Sequence, residues 1–268
     1  MTAIAVTVAG SDSSGGAGIQ ADLKTFAALG VYGASVITAL TAQNTQGVRA
    51  IHDVPADFVA AQIDAVFSDL DVAAVKIGML SQAAIIEAVA KGLGQYRAGN
   101  IVLDPVMVAT SGDRLLADGA IEALRNGLIP RALVVTPNLP EAAALTGATV
   151  ARNEREMEIQ AREILVLGAR NVLIKGGHGS GNESVDLLVG EGDVLRLSAR
   201  RVDTKNTHGT GCTLSSAIAA GLAKGLDLKT AAREAKTYVT AAIAAADTLH
   251  VGRGHGPLHH FHGIWRTT

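Results

Sequence analysis

The chain has 268 residues, 48% hydrophobic and 18% charged, which is length enough for a large core without metal or disulfide support, so one domain over residues 1–268 is expected. A formal net charge of −2, with no run of Lys and Arg, leaves no electrostatic footprint for nucleic acid. The single cysteine excludes an internal disulfide framework, and a start without a basic segment, with every apolar run shorter than a membrane span, points to a cytoplasmic protein without membrane contact.

Short β-branched apolar runs alternate with helical patterns along the chain, which predicts an α/β fold on a mostly parallel sheet. Strands are expected at 4–8, 35–40, 74–77, 101–103, 133–136 and 172–174, most of them too continuously apolar to have a wet face. Between them, Ile19, Leu23 and Phe26 share one helical stripe, and Val59, Ile63, Val66 and Phe67 share another, on a helix opened by Pro55. Residues 183–189 and 194–197 flank Gly190-Glu191-Gly192-Asp193 and read as an antiparallel hairpin late in the pattern. From Gly209 to about Ala246 the sequence is alanine-rich and helical, broken at Gly225 and Asp227.

Several segments carry chemistry. Gly10-Ser11-Asp12-Ser13-Ser14-Gly15-Gly16-Ala17-Gly18 follows the first strand and opens a helix, as phosphate loops do, yet Gly16 and Ala17 stand where a Walker A loop needs Lys and Ser/Thr. It lacks the dinucleotide glycine spacing too, so a tight turn close to a small ligand stays open beside simple turn geometry. Asp104 and the pair Asn138 and Glu141 end two successive strands, the edge where open α/β sheets hold ligands. Two carboxylates suit Mg²⁺, and the Asn138 to Glu141 spacing is equally that of a helix capping box; both can hold at once. Lys175 ends a further strand beside Gly176 and Gly177, placed to meet a phosphate or merely to be solvated. Thr207-His208-Gly209-Thr210-Gly211-Cys212 turns into a helix, so its backbone N–H groups and the helix dipole favour an anion and, at Cys212, a thiolate.

Taken together, Ala9-Gly10-Ser11-Asp12, residues 15–22, Thr41-Ala42-Gln43-Asn44-Thr45, Lys76-Ile77-Gly78-Met79-Leu80, Asp104-Pro105-Val106-Met107, Pro137-Asn138-Leu139-Pro140-Glu141, Lys175-Gly176-Gly177-His178 and residues 206–212 give the chain its family likeness. It resembles the ribokinase-like superfamily and, within it, the bacterial hydroxymethylpyrimidine/phosphomethylpyrimidine kinases. The resemblance implies a three-layer sandwich, ATP and Mg²⁺ as reactants, and a homodimer. It also implies transfer of a γ-phosphoryl group to 4-amino-5-hydroxymethyl-2-methylpyrimidine and then to its monophosphate. On that likeness Gln43 would bond the aminopyrimidine edge, with Gly10, Met79 and Val106 lining the ring site. ATP would lie against Lys175, with Asn138 and His208 on the nucleotide side, and Asp104 and Glu141 would organise the metal. Gly209, Thr210 and Gly211 would form the anion hole and Cys212 the base; Lys236 is a weaker phosphate candidate. The competing expectation is a pyridoxal (vitamin B6) kinase, whose substrate is also a flat heteroaromatic with a hydroxymethyl group. His255, His259, His260 and His262 invite a metal reading, but lack a spaced carboxylate or cysteine partner and read as a docked tail.

Overall fold

The computed structural model describes residues 1–107, 116–117, 119–177 and 181–265. Its centre is an eight-stranded sheet. The strands are β1 (Ile4–Ala9), β2 (Tyr32–Ile37), β5 (Ala74–Ile77), β6 (Ile101–Leu103), β7 (Val134–Val135), β8 (Val172–Lys175), β9 (Glu183–Val189) and β10 (Val194–Arg200). They are ordered β10-β9-β8-β7-β6-β5-β1-β2, parallel from β2 to β8, with β9 and β10 antiparallel at one side. The expected late hairpin is β9–β10.

Strand residues alternate between two cores, as the period of two requires. Val6, Val8, Val75, Ile77, Ile101, Leu103, Val172 and Ile174 face one cluster, with helices α2 (Ala56–Phe67), α3 (Ala83–Gln95), α4 (Ala120–Ala123), α5 (Leu139–Thr146) and α6 (Glu154–Val166). Ala5, Ala74, Val102 and Leu173 face the other, with α1 (Gly18–Ala28), α7 (Thr210–Ala223) and α8 (Leu228–Ala244). Among the described residues this makes a three-layer α/β/α sandwich. The predicted break in the last helix falls at Gly225, φ +85°, with Asp227 capping α8 through the Thr230 N–H at 3.0 Å.

Two expectations change. The run 35–40 is not one strand: the chain leaves the main sheet at buried Thr38, whose N–H bonds Ala9 O and whose hydroxyl bonds Met79 O. It continues as β3 (Ala39–Asn44), paired with β4 (Gly47–Asp53) in a separate two-stranded sheet. The strand at 133–136 shortens to Val134–Val135.

Beneath the sheet edge, Lys76 and Asp22 form a wholly buried ion pair at 2.8 Å. Asp22 also accepts from the hydroxyls of Thr7 and Ser216, each at 2.6 Å, so β1, β5, α1 and α7 meet on one carboxylate. Removing either charge alone leaves the other uncompensated, at about 3–5 kcal/mol.

Candidate functional site

The carboxyl ends of β6, β7 and β8 bring the charged residues together. Lys175 Nζ lies 2.6 Å from Asp104 Oδ1 and 3.8 Å from Glu141 Oε2, so one ammonium serves two carboxylates. Asp104 is 1% exposed and takes further contacts from the hydroxyls of Thr136 and Ser215, each at 3.3 Å. Burial pulls the Lys175 pKa down, but Asp104 and Glu141 more than offset it and the pKa ends above the ordinary lysine value. Burial and the neighbouring Asp104 push Glu141 up to about 7 despite Lys175. The capping box is present: the Glu141 N–H donates to Asn138 Oδ1 at 2.9 Å, and the Asn138 N–H to Glu141 Oε2 at 2.8 Å. The cap does not turn Glu141 away from the strand ends, since its carboxylate still faces Lys175. Two oxygen-donor carboxylates converging on one cation are the protein share of a Mg²⁺ set, the rest falling to water and phosphate. Among the described residues no group of three or more His, Cys, Asp or Glu gathers to hold a metal ion on its own.

The turn ahead of α7 closes over these charges. Gly209 has φ +85°, and a Cβ there would stand 1.9 Å from Gly16 O. A Cβ at Gly211 would stand 3.2 Å from Lys175 Nζ and 3.6 Å from Asp104 Oδ2, so the turn lies directly against the ion pair. Cys212 corrects an expectation. The helix N-terminus favours a thiolate, but burial of the sulfur, with Asp22 and Asp104 near, outweighs the Lys76 charge and the Gly18 N–H and pushes the thiol up to about 11.

The loop 10–18 is folded around its own acid. Buried Asp12 accepts from the N–H groups of Ser14, Gly16 and Ala17 at 2.8–3.1 Å, from the Ser14 hydroxyl, and from His208 Nε2 at 2.8 Å. Burial alone would raise this carboxyl, but the His208 and Ser14 bonds hold it well below the usual carboxylate range. A carboxylate thus takes the N–H groups that a phosphate loop offers its ligand. His208 is accordingly placed with Asp12 and against Gly16, facing Gln43, rather than with Lys175 on the nucleotide side as expected. Because ionised Asp12 only accepts, His208 Nε2 carries the proton, and the Gln43 NH₂ group 3.4 Å away keeps its own donors for another partner. Gln43 is held instead through its backbone and Ser13 Oγ, while Thr41 Oγ1 donates to its side-chain oxygen at 3.1 Å.

Met79 and Ala39 form a small apolar cluster with Val48 and Val106, and a Cβ on Gly10 would stand 2.9 Å from Met79 Sδ. Gly10, Met79 and Val106 therefore lie together, and Gln43 pairs with Val48 of the same cluster across the β3–β4 ribbon. Val48 was missed; it is opposite Gln43 in the β3–β4 pairing, and only recognition of that hairpin would have found it. Asp186 was missed as well: its Oδ2 binds Lys236 at 2.8 Å and its Oδ1 accepts the Gly176 N–H at 2.9 Å, which ties Lys236 to the β8 end. His178 lies outside the described residues. Of the other histidines, His260 is buried with Nε2 3.1 Å from Thr213 Oγ1, and His259 packs edge-on against Trp265.

A buried lysine between carboxylates at the sheet edge, beside a glycine turn on a helix N-terminus, suits phosphoryl transfer, and the sandwich is ribokinase-like. The phosphomethylpyrimidine kinase family model matches residues 12–259, and the chain belongs to that family. It is 61% identical over 266 residues to a hydroxymethylpyrimidine/phosphomethylpyrimidine kinase of Rhizobium meliloti (strain 1021), covering 99% of this chain and 100% of that one. To the enzyme of that name from Escherichia coli (strain K12) it is 54% identical, covering 97% and 98%. Among solved structures, a Bacillus subtilis pyridoxal kinase in complex with ADP superposes with TM-score 0.89 at 38% identity, covering 97% and 98%. A phosphomethylpyrimidine kinase from Clostridium difficile 630 gives 0.80 at 48%, covering 90% and 99%. These likenesses support the pyrimidine kinase reading over the vitamin B6 one.

Proposed function

We propose that the chain phosphorylates 4-amino-5-hydroxymethyl-2-methylpyrimidine at its hydroxymethyl oxygen with ATP, then phosphorylates that product to the diphosphate, in one pocket. What carries the reading is the abutment of the two halves of the site: the ring cluster of Gly10, Met79 and Val106 meets the turn 209–212 through the loop 10–18. Gln43 presents its amide to the aminopyrimidine edge. Lys175, with Asn138 at the same strand ends, takes the nucleotide phosphates, and the backbone N–H groups of Gly209, Thr210 and Gly211 receive charge developing on the transferred group. His208 is a positioning residue that braces the loop 10–18.

Asp104 and Glu141 would hold magnesium, directly or through water; when bound, the ion neutralises phosphate charge. Phosphoryl transfer demands positioning and electrostatics more than a base. Burial pushes the Cys212 thiol up to about 11, so the protonated thiol predominates at pH 7 and only its minor thiolate form could take the hydroxyl proton. The second acceptor, a phosphate with second pKa about 6, is already ionised and needs no base.

No helix among the described residues is long and apolar enough to cross a membrane, which fits a cytoplasmic enzyme. Exposed Leu40 and Ile51 on the β3–β4 ribbon support a homodimer through that face. Mass spectrometry after incubation with Mg-ATP and either hydroxymethylpyrimidine or pyridoxal tests the assignment. Two successive phosphoryl increments on the pyrimidine are expected; a single efficient increment on pyridoxal alone would make this a B6 kinase.

A further inference from the structure

The segment 252–257, between the end of α8 and the buried tail, runs across the mouth of the site with glycine at every second position: Gly252, Gly254 and Gly256. The segment is bent rather than extended, with Gly252 at φ +74°, and all three glycines lie close against the protein. A Cβ at Gly252 would stand 2.3 Å from Thr45 Oγ1, at Gly254 2.0 Å from Thr45 O, and at Gly256 2.2 Å from Asn206 Oδ1. Backbone bonds fill that close approach. The N–H groups of Arg253 and Gly254 donate to Thr45 Oγ1 at 3.2 and 3.1 Å, and the His255 N–H donates to Thr45 O at 2.9 Å. The Gly256 N–H donates to Asn206 Oδ1 at 3.0 Å, and Gly256 O accepts the His208 N–H at 3.1 Å. Pro257 then pairs with His208 as an isolated bridge, its ring against the Gly16 face.

One end of the segment thus grips the tip of the β3–β4 hairpin two residues beyond Gln43. The other grips the turn that leads into Gly209. We propose that 252–257 is a strap fixing the Gln43 hairpin relative to the turn 209–212, which makes Thr45 and Asn206 positioning residues for pyrimidine binding. The inference rests on the reading of Gln43 given above. The loop 10–18 ties β3 through Ser11 and Ser13, and the strap adds an anchor at the hairpin's tip, where a two-stranded ribbon is otherwise marginally stable. The strap supplies three main-chain donors to one threonine.

Thr45→Val removes the hydroxyl acceptor and keeps the side-chain shape; Thr45→Ser retains the acceptor. In the full-length protein, Thr45→Val is expected to raise KM for hydroxymethylpyrimidine by about tenfold while KM for ATP stays within about twofold, with Thr45→Ser near wild type. A defect confined to folding would lower active enzyme without moving one KM alone. Hydrogen exchange without substrate gives the second arm: faster exchange in Thr45→Val at Gln43, Val48 and His208 is expected. Asn206→Ala repeats the test at the other anchor, in case Thr45→Val fails to fold. Unchanged pyrimidine KM in these variants, where Gln43→Ala raises it, overturns the strap. Should Gln43→Ala leave that KM unmoved, the reading of the ring site fails instead, and unchanged exchange at Gln43 and His208 then overturns the strap by itself.

Discussion

The phosphate end of the site stands on the carboxyl edge of a buried parallel sheet, whereas the ring end rests on a two-stranded ribbon that exposes Leu40, Ala42, Ala50 and Ile51. Charges that must meet a transferring group within tenths of an ångström sit where neighbouring strands and α7 hold them, with Asp104 fixed by three side chains from three elements. Groups that must admit and release a flat ring sit where a ribbon can yield. The two ends should therefore fail differently under substitution, the first in turnover and the second in binding.

The largest effect is expected at Lys175→Met. It leaves Asp104 and Glu141 uncompensated and, on the proposed role of Lys175 at the nucleotide phosphates, should lower kcat by about 10²–10³-fold with pyrimidine KM within about twofold. Steady-state kinetics decide it; a rise in pyrimidine KM with kcat preserved would break the division between the ends. Next comes Cys212→Ala. Where the minor Cys212 thiolate takes the hydroxyl proton, its loss should slow the first transfer by about 10²-fold and the second by less than about threefold, read by following each acceptor separately. Equal slowing would mean that Cys212 shapes the turn rather than takes a proton. Smaller again, Gln43→Ala should raise pyrimidine KM by about tenfold at nearly constant kcat, because a buried polar edge of the ligand loses its partner.

The phosphate end was the more legible half in sequence. Asp104 and Lys175 directly follow the apolar runs 101–103 and 172–174, and Glu141 lies in the first turn of the helix after 133–136, so the strand-end rule places them on one edge without knowledge of the structure. The ring end was legible only through family likeness. Residues 39–53 carry no clear hydrophobic alternation, because the buried positions of β3 are the small Ala39 and Thr41 and β4 is exposed or half-buried throughout, so β4 and Val48 were missed. Asp12 shows another limit. The glycine loop looked like a ligand cradle, and nothing in its spacing told that the aspartate within it would take the Ser14, Gly16 and Ala17 N–H groups. The Cys212 expectation failed for a related reason: helix position is local and readable, while the burial that sets the thiol at about 11 comes from α1, β5 and β6 folding around it.

The tail that joins the two ends bears on stability rather than turnover. His260 is buried against Thr213 in the first turn of α7, and burial, with Lys24, His259 and His262 near, lowers its pKa to about 4. The unfolded value is about 6.5. Between those values the unfolded chain binds the proton and the folded one resists it, so this histidine destabilises the fold as pH falls from about 6.5 toward 4 and contributes no pH dependence above that window. At about 1.4 kcal/mol per unit, the loss is about 3 kcal/mol at pH 4. His260→Gln is uncharged throughout and should flatten that part of the profile, visible as urea midpoints at pH 7, 5.5 and 4 that converge with wild type at low pH. Parallel profiles would place the acid sensitivity in the loop 10–18 instead, where the His208 and Ser14 bonds hold the Asp12 carboxyl below the usual range and their stabilisation is lost as it protonates.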